Sequence, residues 1–239
     1  MTRWICAGCR AEYDERPPTC GLCLSHHGLL PLPARLGGRD VATAPRLRRG
    51  VVRAQDLRPS NRLADFGEPW ASSWRIEEPH AVLLVGAPGS GKSTLAAQLA
   101  VSAARRRPVL FVAAEEGHGG TVVQRFARAG LDELSGHRLS VSDARTVAEM
   151  EEDLAASDAR LVVVDSATEM RATAEWISAT LAGRSWLVVA HANSRGSAYY
   201  GRDLEHAADM VVDVADGLAT PRKNRWGGMA SVRVWEEAA

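Results

Sequence analysis

Residues 86–93 read Gly-Ala-Pro-Gly-Ser-Gly-Lys-Ser, a complete GxxxxGK[ST] pattern. Gly86, Gly89 and Gly91 let the backbone curl so that the amides around Ser90 point inward at a phosphate. A helix starting at Lys92 would add its N-terminal dipole. Lys92 is suited to the β- and γ-phosphates, and the Ser93 hydroxyl to Mg²⁺, with Thr94 beside them. The segment predicts an ATP or GTP site. Asp165 ends the apolar run LVVVD and is expected to hold the same Mg²⁺. Glu115 and Glu116 follow the apolar run PVLFVAA, where one carboxylate could orient an attacking water. The alternative for that pair is an ordinary solvated strand end.

A second chemistry sits at the N-terminus. Cys6-x2-Cys9 and Cys20-x2-Cys23 hold all four cysteines of the chain. Two such pairs offer four thiolates to one tetrahedral zinc, and a closed site of that kind is structural rather than catalytic. His26 and His27 lie nearby and read as ordinary linker residues.

These groups need elements to position them. The runs 81–86, 108–113, 137–142, 160–165, 185–190 and 210–215 have strand length and are apolar on both faces. Helical patterns fill 92–105, 120–129, 143–157 and 170–182, with Asp143 expected as an N-cap. That alternation predicts an α/β domain with a mainly parallel sheet covered on both sides. The organisation expected is a zinc ribbon over 1–27, a basic linker over 28–75 and the nucleotide-binding core over 76–239. Between 31 and 62 the linker holds eight arginines against two aspartates. The arginines Arg46, Arg48, Arg49 and Arg53, with Arg105–Arg107, are candidates for phosphate contacts or simply solvated charge.

The 239 residues carry 29 basic and 29 acidic side chains, so nothing global attracts the chain to nucleic acid or membrane. No apolar run reaches the ~18 residues of a membrane span, and the expected setting is cytoplasmic. Only Lys92 and Lys223 are lysines among those 29. Where arginine has replaced nearly every lysine, the two that remain mark sites where a compact ammonium is wanted.

Taken in order, the four-cysteine ribbon, basic linker, P-loop strand, Glu115-Glu116 pair and VVVDS segment resemble the bacterial RadA/Sms proteins. LVVAHANSRG (187–196), GRDLEHAADMVVDV (201–214) and Lys223-Asn224-Arg225-Trp226-Gly227 are similar to that family's later segments, the last with Trp in place of Phe. The resemblance implies a RecA-like ATPase core that assembles on single-stranded or branched DNA as a ring or filament and acts in recombinational repair and branch migration. It implies Glu115 as the water-activating carboxylate and Asp165 as the Walker B aspartate. His191 and Asn193 would be γ-phosphate sensors, and Lys223 and Arg225 cations reaching a neighbouring subunit's nucleotide or coupling it to DNA. Replication or recombination proteins are the partners it suggests. The family continues into a Lon-protease-like domain, so a shortened form is expected.

For DNA itself the candidates are Arg195, Tyr199, Tyr200 and Arg202 in a loop with glycine hinges, where arginine would meet phosphate and tyrosine an unstacked base. Packing of the tyrosines on a neighbouring subunit is the competing use. Two other functions remain open on sequence. One is a P-loop kinase with a small-molecule acceptor. The other is a nucleotide-binding regulator that docks a helicase or polymerase through its ribbon.

Overall fold

The computed structural model describes residues 66–235, apart from 172, 174–183, 194, 195, 197 and 199–201, together with three short strands nearer the N-terminus. The chain divides into two units, Met1–Arg58 and Pro59–Ala239. In the first, β1 (Trp4–Cys6) pairs antiparallel with β2 (Glu12–Tyr13) and with β3 (Leu29–Pro31), giving a small sheet in the order β2-β1-β3. Cys6 closes β1. The cysteine side chains and the linker arginines from Arg46 to Arg53 lie outside the described residues.

The second unit is built on one eight-stranded sheet. Its strands are β4 (Ala81–Gly86), β5 (Val109–Ala113), β6 (Leu139–Ser142), β7 (Leu161–Asp165), β8 (Ser185–His191), β9 (Met210–Ala215), β10 (Leu218–Asn224) and β11 (Val232–Arg233). They lie in the order β11-β10-β9-β4-β8-β7-β5-β6. The six from β9 to β6 run parallel, while β10 and β11 add an antiparallel edge, so the sheet is mainly parallel but mixed.

Side chains alternate between the two faces, as a doubly covered sheet requires. Val82, Leu84, Val109, Phe111, Val163, Leu187 and Val212 pack on one side with α1 (Trp70–Ser73), α2 (Lys92–Ala104) and α3 (Gly120–Arg128). Leu83, Val85, Leu110, Val112, Val164 and Val188 pack on the other, against Met150 and Leu154 of α5 (Val147–Ala155) and Leu204 of α7 (Arg202–Ala207). Two one-turn helices, α4 (Glu133–Gly136) and α6 (Ala167–Met170), complete the unit. The segment expected as linker contributes β3 to the small sheet, and Phe66, Trp70 and Trp74 to the larger core.

The six parallel strands and helices α2 and α3 follow the sequence expectation closely; β10, β11 and the short helices α1, α4, α6 and α7 were not expected, and one cap is corrected. The helix expected from Asp143 begins at Val147. Thr146 caps it by accepting from Glu149 N, while Glu149 reaches back to Thr146 N. That reciprocal pair satisfies two free amides at once, which a lone Asp143 cannot. The helix expected over 170–182 falls largely outside the described residues. Among the described residues no helix is long and apolar enough to cross a membrane.

Candidate nucleotide site

In a parallel sheet the loops after the strands gather at one edge, and a ligand crevice opens where neighbouring strands feed opposite faces. Here β4 is the first strand of the sheet in the chain and sits near its middle. β8 and then β7 lie between it and β5. Gly86 at the end of β4 is level with His191 at the end of β8, and Ala113 of β5 is level with Asp165 of β7. Four segments far apart in sequence therefore deliver side chains to one cleft of about 300 Å³. It is lined by Gly89, Gly91, Lys92, Ser93, Thr94, Glu115, Glu116, Asp165 and His191, all expected, and by Arg125 and Trp235, which were not.

The loop geometry fits a phosphate chain. Gly91 has φ +105°, a left-handed conformation that favours glycine, and α2 starts directly after it. Ser90 Oγ is buried and has no hydrogen-bond partner among the described residues. Lys92 is buried, and its Nζ donates to Ala87 O at 2.7 Å. Burial lowers the lysine pKa, opposed by the charges of Asp165 and Glu115. A buried orphan hydroxyl and an ammonium satisfied by one carbonyl are what a loop shaped around an anion should leave behind.

Ser93 Oγ donates to Asp165 Oδ1 at 3.1 Å. Asp165 is 6% exposed, and burial pushes its pKa up to about 6 despite the hydroxyl and the charge of Arg125. A hydroxyl beside a desolvated carboxylate is an oxygen donor pair of the kind Mg²⁺ takes next to a triphosphate.

The two glutamates separate here. Glu116 accepts two hydrogen bonds from Arg125, at 3.0 and 2.8 Å, and that pairing lowers its pKa. Burial alone would lower the Arg125 pKa, but Glu116 outweighs it and the net shift is upward. Glu115 instead faces the cleft half-exposed, with Oε2 3.9 Å from His191 Nε2. His191 N in turn donates to Thr168 Oγ1 at 3.1 Å, which fixes the end of β8 beside Asp165.

Lys223 and Arg225 are elsewhere. Lys223 pairs with Val211 three residues before Val214, and the Val214 carbonyl lies against Gly86. Three residues of strand put Lys223 about 10 Å from the level of the phosphate loop. Its Nζ donates to the carbonyls of Glu205, His206 and Ala208 at 2.7, 3.2 and 2.5 Å, closing the C-terminal end of α7. Burial and the charge of Arg225 lower its pKa. Arg225 bridges Asp209 at 3.0 Å with a half-exposed head. Asn224 donates to the carbonyls of Arg75, Gly227 and Gly228, and Trp226 packs on the core. Neither cation enters the cleft of its own chain.

Asn193 follows β8 and its carbonyl accepts from Gly196 N. Arg195, Tyr199, Tyr200 and the Arg202 side chain lie outside the described residues. Arg125 had a legible signal, a charge one residue from Phe126 on the face α3 buries. Trp235 had none, being 144 positions from Gly91.

Comparison with known proteins agrees with the fold. The AAA domain family model matches residues 65–184, half of the chain, and the chain belongs to that family of RecA-like ATPases. The DNA repair protein RadA of Escherichia coli strain K12 is 28% identical over 97% of this chain and 57% of its own length. RadA of Salmonella typhimurium is 28% identical over 65% of this chain and 38% of its own. The chain thus spans under two thirds of either relative. A KaiC-like protein from Pyrococcus horikoshii OT3 shares the fold, with TM-score 0.59 and 21% identity, over 72% of this chain and 94% of the other.

Proposed function

We propose that this chain hydrolyses ATP with Mg²⁺ in response to DNA, in recombinational repair. The observation that carries the reading is the Ser93–Asp165 pair facing a half-exposed Glu115 beside the phosphate loop. Bound at Ser93 and Asp165, Mg²⁺ would neutralise phosphate charge as it develops. Lys92 exchanges the Ala87 carbonyl for phosphate oxygens, and the orphan Ser90 hydroxyl gains an acceptor. Glu115 orients and deprotonates the attacking water, whereas Arg125 holds Glu116 as an occupied anion. His191, near Glu115 at a strand end, reports whether the γ-phosphate is present.

Assembly follows in the same reading. The half-exposed Arg225 reaches the nucleotide of a neighbouring copy, and Lys223 mainly holds the turn that presents it. A cation given in trans ties hydrolysis to assembly. Likeness to RadA supports DNA as the ligand that gathers the copies, with Arg195, Tyr199, Tyr200 and Arg202 as contacts. The donor set Cys6, Cys9, Cys20 and Cys23 suits one structural zinc.

ATP turnover by the full chain, with and without single-stranded DNA, tests this. DNA should raise phosphate release several-fold. Glu115→Gln should bind ATP and release no phosphate, and Glu116→Gln should retain most turnover. Slow release that ignores DNA would favour the nucleotide-binding regulator. Phosphate passed to an acceptor would favour a kinase.

A further inference from the structure

The charged groups of the cleft account for phosphates, metal and water, but leave Trp235 unused. We propose that Trp235 is the nucleobase platform of the site, stacking the base of the bound nucleotide and favouring purines. This rests on the nucleotide reading above and adds the base to it.

Apart from the His191 imidazole, Trp235 carries the only aromatic ring among the described residues lining the cleft. It is 37% exposed, whereas Trp70, Trp74 and Trp186 of the same unit are buried. Tryptophan joins a large apolar ring to a polar N–H, a combination enriched where a side chain meets a partner. Its mounting is rigid as well. Val234, one residue earlier, is buried, with its N–H donating to Gly217 O at 2.7 Å and its carbonyl accepting from Gln98 Nε2 of α2 at 2.9 Å.

The ring itself lies on two glycines. A Cβ at Gly91 would fall 2.1 Å from Trp235 Cζ3, and a Cβ at Gly217 would fall 2.6 Å from Cε2. Both glycines have left-handed φ, +105° and +69°, so neither position readily accepts a side chain. The phosphate loop and the β9–β10 turn are each bare where the indole rests. That seat is the last glycine before Lys92, so a flat apolar surface adjoins the groups that take the phosphates. A nucleobase needs such a surface, and stacking tolerates any base while rewarding the larger ring system. A plug over an empty loop is the other use for a tryptophan here. It is disfavoured because the cleft keeps its volume of about 300 Å³ with the ring forming part of the wall.

Calorimetric titration of the full chain with Mg²⁺-ATP, Mg²⁺-CTP and inorganic tripolyphosphate separates these outcomes. Trp235→Ala should weaken ATP by about 10- to 100-fold and leave tripolyphosphate unchanged. Trp235→Phe should recover most of the ATP affinity. Wild type should bind ATP more tightly than CTP, and Trp235→Ala should lose that preference. An unchanged ATP affinity in Trp235→Ala overturns the platform. An equal loss for ATP and tripolyphosphate overturns it too, since the ring would then only shape the loop. Tighter binding of both would identify a plug. If tripolyphosphate binding to wild type does not depend on Lys92, tested with Lys92→Ala, the phosphate-loop reading itself has failed, and the platform with it.

Discussion

Asp165 offers a test in which removing a functional group should stabilise the protein. Burial raises its pKa from the ordinary 3.8 to about 6. Between those values the folded chain holds a proton that the unfolded chain has released, so stability falls as pH rises through this window. Above pH 6 the folded protein carries a desolvated carboxylate. That rise, at about 1.4 kcal/mol for each tenfold change in proton affinity, amounts to about 3 kcal/mol. Asp165→Asn keeps an oxygen that can accept from Ser93 and never ionises. In chelator-containing buffer at pH 7.5 it should be more stable than wild type by up to about 3 kcal/mol, or about 6–12 °C in Tm for a chain of this size. At pH 4 the two should melt together. Mg²⁺-ATP should then narrow the gap at pH 7.5, raising the wild-type Tm more than the variant's, because only the carboxylate offsets the metal's charge while Lys92 and the loop still take the phosphates in both. Melting curves by fluorescence from pH 4 to 8 measure all of this. A variant less stable than wild type at pH 7.5, or a difference that does not change with pH, would refute the reasoning.

Lys223→Met removes three charge-assisted hydrogen bonds from the end of α7, and should lower Tm by about 4–8 °C for a loss of about 2 kcal/mol, with ATP affinity intact. An unchanged Tm would show that the ammonium does not hold the helix end. Mixing Arg225→Ala with Lys92→Ala should restore part of the turnover each lacks, because a trans cation is worth about 10³–10⁵ in rate in other P-loop enzymes. A mixture as inactive as its components would place the cation outside a neighbour's site. Elemental analysis should find one zinc per chain, lost in Cys20→Ser with ATP affinity retained. An equal metal content in the two proteins would remove the ribbon.

Much of the site was legible because its chemistry is local. A phosphate loop needs glycines, a lysine and a hydroxyl within eight consecutive residues, so 86–93 declares itself without reference to the rest of the chain. The carboxylates just after β5 and at the end of β7 were equally readable, since apolar runs mark strand ends and parallel strands share one edge. Helix limits were coarser, because caps compete. Thr146 with Glu149 displaced Asp143 by satisfying two amides rather than one.

What the sequence by itself determined, then, is the six parallel strands, the phosphate-loop chemistry and the identity of the groups at the strand ends. Periodicity encodes which face a residue takes, but it does not encode which strand lies beside which. Only the tertiary order of the sheet, with β8 and β7 between β4 and β5, brings His191 to within 3.9 Å of Glu115. The turn of α3 toward that edge gives Glu116 to Arg125 and leaves Glu115 half-exposed at the cleft. The antiparallel edge carries Lys223 to the far end of α7 and returns Trp235 to Gly91. Those contacts join residues up to 144 positions apart, and no local pattern records them. They exist because packing two apolar faces of one sheet leaves the chain few other ways to close.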